Sequence, residues 1–172
     1  MNETIRNMIT RRSIRSFSDK SIPEDVLSQI IEAGVFAASG RNKQAPIVIA
    51  VTDKETRDRI SRANARIMGT DTDPFYGAPV ILIVLARKDV PTYLYDGSLV
   101  MGNLMLAAHS LGVGSCWIHR AKETFETDEW KEWLAGLGIE GELEGIGHCA
   151  LGYSDGKYPD ILPRKDGRIF RV

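Results

Sequence analysis

The chain has 172 residues, of which 43% are hydrophobic and 26% charged, with a net charge of −1. That balance fits one folded domain over residues 1–172 and excludes a collagen-like, disordered or low-complexity polymer. At this length a core large enough to need neither disulfides nor a structural metal is expected, which leaves the polar clusters free for chemistry.

Charge is distributed unevenly. Residues 1–20 hold five basic and two acidic side chains, residues 157–172 five and two, and residues 120–145 three and eight. Two compact cationic ends in a nearly neutral chain suit a small anion better than a nucleic acid, whose binders carry wide positive faces. Cys116 and Cys149 cannot form a disulfide framework and lie in apolar, strand-like contexts, so buried thiols in a reducing compartment are expected. The uncharged stretch from Gly97 to Leu111 carries Ser98, Gly102, Asn103, His109 and Ser110 and is too polar to cross a bilayer. Met1–Thr10 lacks the apolar stretch of a secretory signal, and the expected location is cytoplasmic.

The elements follow in chain order without linker, repeat or biased segment. Arg11-Arg12-Ser13-Ile14-Arg15 places three guanidiniums and a hydroxyl within five residues, a donor set suited to phosphate oxygens. In an extended chain Arg11, Ser13 and Arg15 share a side. In isolation, a solvated basic loop would read the same way. Ser21 and Glu24 have capping-box spacing with Pro23 in the first turn, and the apolar positions Val26, Leu27, Ile30, Ile31, Gly34, Val35 and Ala38 predict a helix ended by Ser39-Gly40. The loop Ser39-Gly40-Arg41-Asn42-Lys43-Gln44 then supplies hydroxyl, amide and backbone donors suited to a heterocycle edge, or is a plain polar connection.

Short β-branched runs predict strands at Ile47–Thr52, Pro79–Ala86 and Glu144–Tyr153, with a charged helix over Lys54–Met68 between the first two. Asp96 to Gly112 predicts a helix with almost no hydrophilic face, which a partner subunit would cover economically. On it, Ser98, Gly102 and His109 form one narrow stripe. Helices interleave with strands without strict βαβ repeats, so the fold class is α+β.

Other motifs are weak. Gly136-Leu137-Gly138-Ile139-Glu140-Gly141 fits GxGxxG but follows a helix around Trp130–Leu134 in an acidic neighbourhood, so its glycines read as a helix stop. Cys116 with His119, or His148 with Cys149, lacks the facing geometry of a zinc site or a nucleophile and base on a strand. Asp71-Thr72-Asp73 starts like a calcium loop, but Phe75 and Tyr76 stand where a ligand and glycine belong. Phe75, Tyr76 and Pro79 form either a mobile lip or a buried loop anchor. Trp130 and Trp133 read as core contacts.

Taken together, Arg11–Phe17, the Pro23–Leu27 helix start, and the loop with Ser39, Asn42 and Gln44 resemble the flavin-dependent nitroreductase family over essentially the whole chain. Leu111–Ile118 is similar to that family's LGxGxCWI segment, and Gly147–Tyr153 with its basic tail to the family's end. The chain departs from the pattern at Ala38 and at Ala45-Pro46, where the family has a proline and Pro-Trp. The resemblance implies an FMN-binding α+β fold with a central, mostly antiparallel sheet flanked by helices, and an intertwined homodimer holding two FMN molecules at its interface. Arg11, Arg12, Ser13 and Arg15 would come from one subunit, with Arg164 or Lys165 from a C-terminal arm, residues 157–172, that reaches the partner subunit. Ser39, Asn42 and Gln44 would come from the other subunit. Ile118, His119 and Arg120 would form the wall beside the flavin ring, and His119 and Arg120, which depart from many relatives, would shape acceptor choice.

The implied activity is hydride transfer from NAD(P)H to flavin N5 and reduction of nitroaromatics, quinones or similar planar acceptors in ping-pong order, with no catalytic side chain and no metal. The alternatives are a specialised relative performing reductive dehalogenation or flavin breakdown, and a non-enzymatic flavin-binding redox sensor.

Overall fold

The computed structural model describes residues 1–156 and 158–172. Lys157, the first residue of the expected arm, lies outside them. Six helices and four strands run in the order α1 (Glu3–Thr10), α2 (Glu24–Val35), β1 (Pro46–Val51), α3 (Lys54–Met68), β2 (Val80–Arg87), α4 (Tyr93–Ser110), β3 (Gly114–Ile118), α5 (Ala121–Phe125), α6 (Asp128–Gly136) and β4 (Leu143–Gly152). The strands form one sheet in the order β1-β2-β4-β3. All three pairings are antiparallel, so the chain is α+β as expected.

The sheet is buried on both sides because β2 is apolar at every position from Val80 to Ala86, the composition of a strand with no solvent face. Its Ile81, Ile83 and Leu85 pack with Ile60, Phe75, Phe125 and Trp130 under α3, α5 and α6. Val80, Leu82, Val84 and Ala86 pack with Leu27, Ile30, Met101 and Leu104 under α2 and α4. Phe75 is therefore a fully buried anchor rather than a lip, while Tyr76 is exposed. Both cysteines are free and buried.

Local chemistry explains most element ends. Asp53 caps α3 by accepting from Thr56 N at 2.7 Å, and Gly69, at φ 72°, closes it in the left-handed conformation that glycine adopts without strain. Helix α6 stops at Gly136, and Gly138 adopts φ 74°, as the glycine run predicts. The capping box at α2 does not form. Pro23 is the N-cap, without a side-chain hydrogen bond, and the helix ends at Val35, three residues before Ala38.

Helix α4 is the longest helix among the described residues. At 1.5 Å per residue its 18 residues extend about 27 Å. One face packs so closely that a Cβ at Gly34 of α2 would stand 2.3 Å from Leu104 Cδ2, and one at Gly97 2.5 Å from Ile146 Cγ1. The opposite face leaves Tyr95 73% and Leu99 50% exposed. Nothing lies within 4 Å of where a Cβ at Gly102 would sit, so no close approach within the described residues repays that glycine.

Candidate functional site

The cationic segment after α1 adds to the sheet at β3. Ser13 bridges Ser115, and Ile14 N donates to Ser115 O at 2.9 Å. Ile14 is buried against Gly114, where a Cβ would approach Ile14 Cγ1 to 2.9 Å. The inward Ile14 leaves its neighbours Ser13 and Arg15 to line a cavity of about 260 Å³ with Ser16, Ser154 and Pro159. Behind it lies Cys116, whose thiol burial raises and the nearby Arg15, Ser13 and Arg11 pull back down.

The three arginines are not equivalent. Nη1 of Arg11 is buried with no hydrogen-bond partner among the described residues. A guanidinium N–H withdrawn from water without an acceptor is unfavourable, and an anion reaching it would supply the missing acceptor. Arg12 is largely spent on its own chain, with Nη1 donating to Ile9 O at 2.9 Å and Arg11 O at 2.5 Å, and Nε to Asp160 O at 3.3 Å. Only its Nη2 stays buried and unpartnered among the described residues. Arg15 is exposed at the cavity.

A set of groups holds this segment, of which sequence reasoning marked His109 but neither Tyr158 nor Thr10. Arg12 N donates to Tyr158 Oη at 3.1 Å, Tyr158 Oη lies 3.0 Å from His109 Nδ1, and His109 Nε2 lies 2.9 Å from Thr10 Oγ1. Because the Thr10 hydroxyl donates to Arg6 O, it accepts from His109 Nε2–H, which leaves Nδ1 to accept from Tyr158. Burial, with Arg11 and Arg12 nearby, lowers the His109 pKa and favours that neutral ring. The C-terminal segment is thereby fastened beside the arginine segment at Tyr158. Arg164 and Lys165 lie further along, exposed, around a surface cavity of about 430 Å³ with Asp166 and Arg168.

The second group of predicted residues lies elsewhere. After α2 the chain makes a 3-10 turn over Gly40–Asn42, with Arg41, Asn42 and Gln44 at φ 52°, 53° and 49°. Within the loop Gln44 N donates to Ser39 Oγ at 3.1 Å, and Gln44 Nε2 to Asn42 Oδ1 at 3.1 Å. Ser39, Asn42 and Gln44 thus form one cluster of side chains carrying both donors and acceptors. The loop docks on the N-terminal end of α4, where Asp96 Oδ1 accepts from Gly40 N at 3.0 Å.

The third group stands at the end of β3. Ile118 is 4% exposed and packs in the core under α3 and α5, so its backbone, not its side chain, is what it presents outward. His119 is exposed. Arg120, at φ 71°, donates from Nε to Asn64 Oδ1 at 2.9 Å, while Asn64 Nδ2 donates to His119 O at 3.0 Å. The fully buried Asn64 of α3 therefore fixes this turn from behind; no sequence signal marked it among the polar residues of that helix.

Within one chain these groups fall into two places. The arginine segment and the β3 end share the sheet edge, about 10 Å apart along three strand residues. The Ser39–Gln44 loop meets α4 at Asp96 and the arginine segment meets it at His109, thirteen residues away and about 20 Å along the helix. Among the described residues no group of three His, Cys, Asp or Glu side chains could hold a metal ion. No helix there is long and apolar enough to cross a membrane.

The chain is similar over its full length to a crystallised nitroreductase with bound FMN from Bacteroides fragilis, at 32% identity, TM-score 0.89 and 100% coverage of both chains. It is 33% identical to an FMN reductase [NAD(P)H] of Bacillus subtilis over 67% of this chain, spanning about half (53%) of that relative's length. It is 29% identical to an NADPH-flavin oxidoreductase of Vibrio harveyi, covering 98% of this chain and 72% of the relative. A sequence model of the Nitroreductase family matches residues 8–153, and the chain belongs to that family.

Proposed function

We propose that this chain is an FMN-dependent NAD(P)H oxidoreductase whose flavin sites form between two copies of it. The observation that carries this reading is the unpartnered, buried Arg11 Nη1 beside the Ser13–Arg15 cavity, an anion seat whose heterocycle-binding counterpart lies at the far end of α4. One protomer's loop meets α4 at Asp96 and its arginine segment is tied to α4 at His109, about 20 Å apart along the helix, which supports completion of each site by a second copy. The exposed Tyr95 and Leu99 on the outer face of α4 support the same pairing.

Arg11, Ser13 and Arg15 would hold the FMN phosphate through charge-assisted and hydroxyl hydrogen bonds, with Arg12 adding Nη2 alone. Arg164 or Lys165 of the arm would add a further cation. Ser39, Asn42 and Gln44 would meet the alternating N–H and carbonyl groups of the flavin pyrimidine edge. Ile118, His119 and Arg120 would wall the ring, and positive charge there would favour the reduced, anionic flavin by electrostatic preorganisation. FMN, when bound, supplies the redox chemistry, taking hydride from NAD(P)H and passing electrons to a nitroaromatic, quinone or similar planar acceptor in ping-pong order.

The test is the absorbance of the purified protein, followed by steady-state NADH and NADPH oxidation with a panel of acceptors. A flavin spectrum and turnover are expected. Protein that stays colourless after incubation with FMN and gel filtration would refute the reading.

A further inference from the structure

We propose that Asp96 is a positioning residue for the ring end of the flavin site, acting through Gly40; the inference rests on the reading just given for Ser39, Asn42 and Gln44. Asp96 is 3% exposed and is the only charged residue of α4. Both its oxygens are used, and neither serves the helix. Oδ1 accepts from Gly40 N at 3.0 Å, and Oδ2 from Thr92 Oγ1 at 2.9 Å. Thr92 is the N-cap of α4, a position where a threonine hydroxyl ordinarily accepts from the first-turn amides, yet it makes no side-chain cap and donates to Asp96 instead. It also closes the joint sterically, since a Cβ at Gly40 would stand 2.3 Å from Thr92 Oγ1.

The loop needs such a fixture. Arg41, Asn42 and Gln44 all occupy the left-handed region, which non-glycine residues rarely enter and keep only where the surroundings hold them. The side-chain bonds among Ser39, Asn42 and Gln44 tie the loop to itself. Its links to the body are Asp96 at one end and, at the other, buried Ala45, whose carbonyl accepts from Arg87 N at 3.2 Å. Asp96 fixes the start of the turn, and with it the direction in which the Asn42 and Gln44 amides face. A buried carboxylate on a backbone N–H is stronger and more directional than a neutral pair, which accounts for a charge in an otherwise apolar helix.

The experiment titrates FMN into flavin-free wild type, Asp96→Ala and Asp96→Asn, measuring Kd by flavin fluorescence, the visible absorption of bound flavin, and Tm without flavin. Asp96→Ala should weaken FMN binding roughly tenfold or more, the loss of one charge-assisted hydrogen bond, and shift the bound spectrum. Asp96→Asn keeps an acceptor for Gly40 N and can donate to Thr92 Oγ1, so it should stay within about threefold of wild type. In a Gln44→Ala background the Asp96→Ala effect should shrink, because both act on one contact. If Asp96→Ala does not fold, Gly40→Ala strains the same joint from the loop side and should reproduce the loss. An Asp96→Ala or Gly40→Ala protein with lowered Tm but wild-type Kd and spectrum makes Asp96 merely structural and overturns the proposal. So does Asp96→Asn behaving like Asp96→Ala. Wild type that takes up no FMN overturns the functional reading itself, a different result from wild type that binds while the variants are indifferent.

Discussion

His148 gives the fold a specific acid sensitivity. It lies on β4, fully buried, with its ring centroid 5.2 Å from that of Phe75 and 6.0 Å from that of Phe125. Neither ring nitrogen has a hydrogen-bond partner among the described residues. Burial lowers its pKa from 6.5 to about 4, against a weaker opposing pull from the backbone of His119 and Ile118. A histidine that is harder to protonate when folded leaves the unfolded chain binding the proton first. Stability from this group is therefore complete above about pH 6.5, falls as pH drops to about 4, and is level below that. Those roughly 2.5 pH units, at about 1.4 kcal/mol each, amount to about 3.5 kcal/mol, a large share of the 5–15 kcal/mol typical of a domain. The assay is urea unfolding of wild type and His148→Leu from pH 7.5 to 4, at equal FMN. The leucine variant also removes two unpaired polar atoms, so it should match or exceed wild type at pH 7.5 and gain on it progressively towards pH 4. Two curves that stay parallel across that range would refute the assignment. Asp53, Asp58 and Asp73, whose pKa values hydrogen bonds hold below 3.8, lose their contribution only at lower pH and are common to both proteins.

Arg15→Ala should weaken FMN binding about 10- to 100-fold, equivalent to roughly 1.5–3 kcal/mol for a charge-assisted contact; unchanged retention on gel filtration removes Arg15 from the clamp. Gln44→Ala should weaken FMN binding or shift the flavin reduction potential, and no change in either removes Gln44 from the site. Gly145→Ala would place a Cβ 2.2 Å from Ala121 C and 2.5 Å from Lys122 N. Both are backbone atoms that cannot swing aside, so a loss of about 3 kcal/mol and a Tm drop on the order of 10 °C are expected by thermal melting; a Tm within about 2 °C of wild type would show that β4 and α5 yield freely. Sedimentation of the holoprotein at nanomolar concentration should show a dimer, and a flavin-loaded monomer there contradicts the shared site.

Elements with chemical punctuation at both ends were legible in the sequence. Lys54–Met68 matches because Asp53 and Gly69 bound it, and β1, β2 and β4 fall within a residue or two of their β-branched runs. Helix α1 was not anticipated, although Asn2 caps it by accepting from Ile5 N and Ile5, Met8 and Ile9 recur at helical spacing; that stripe is exposed and the helix buries none of its eight residues. Helix α5 has five residues and follows its N-cap Arg120, held left-handed by Asn64 from a distant helix. The sheet order was illegible for the same reason, since β3 pairs with β4 and β4 with β2 through contacts that no local pattern encodes.

The site divides along the same line. Residue type alone marked the arginine segment and the amide loop as candidates, since guanidiniums suit an anion and amides with a hydroxyl suit a heterocycle edge whatever the fold. Alternation placed Ser13 and Arg15 together but could not foresee that Arg12 turns back onto the carbonyls of Ile9 and Arg11. Nor could it foresee that Ile118, an apolar residue on a strand, faces the core. The distance between the two halves is set by α4, which carries His109 near one end and Asp96 near the other. A helix that long holds the two groups apart within one protomer, and its outer face leaves Tyr95 and Leu99 exposed. If a second copy docks on Tyr95 and Leu99 and completes the proposed site, a variant that blocks pairing there should lose FMN without any change to the groups that touch it.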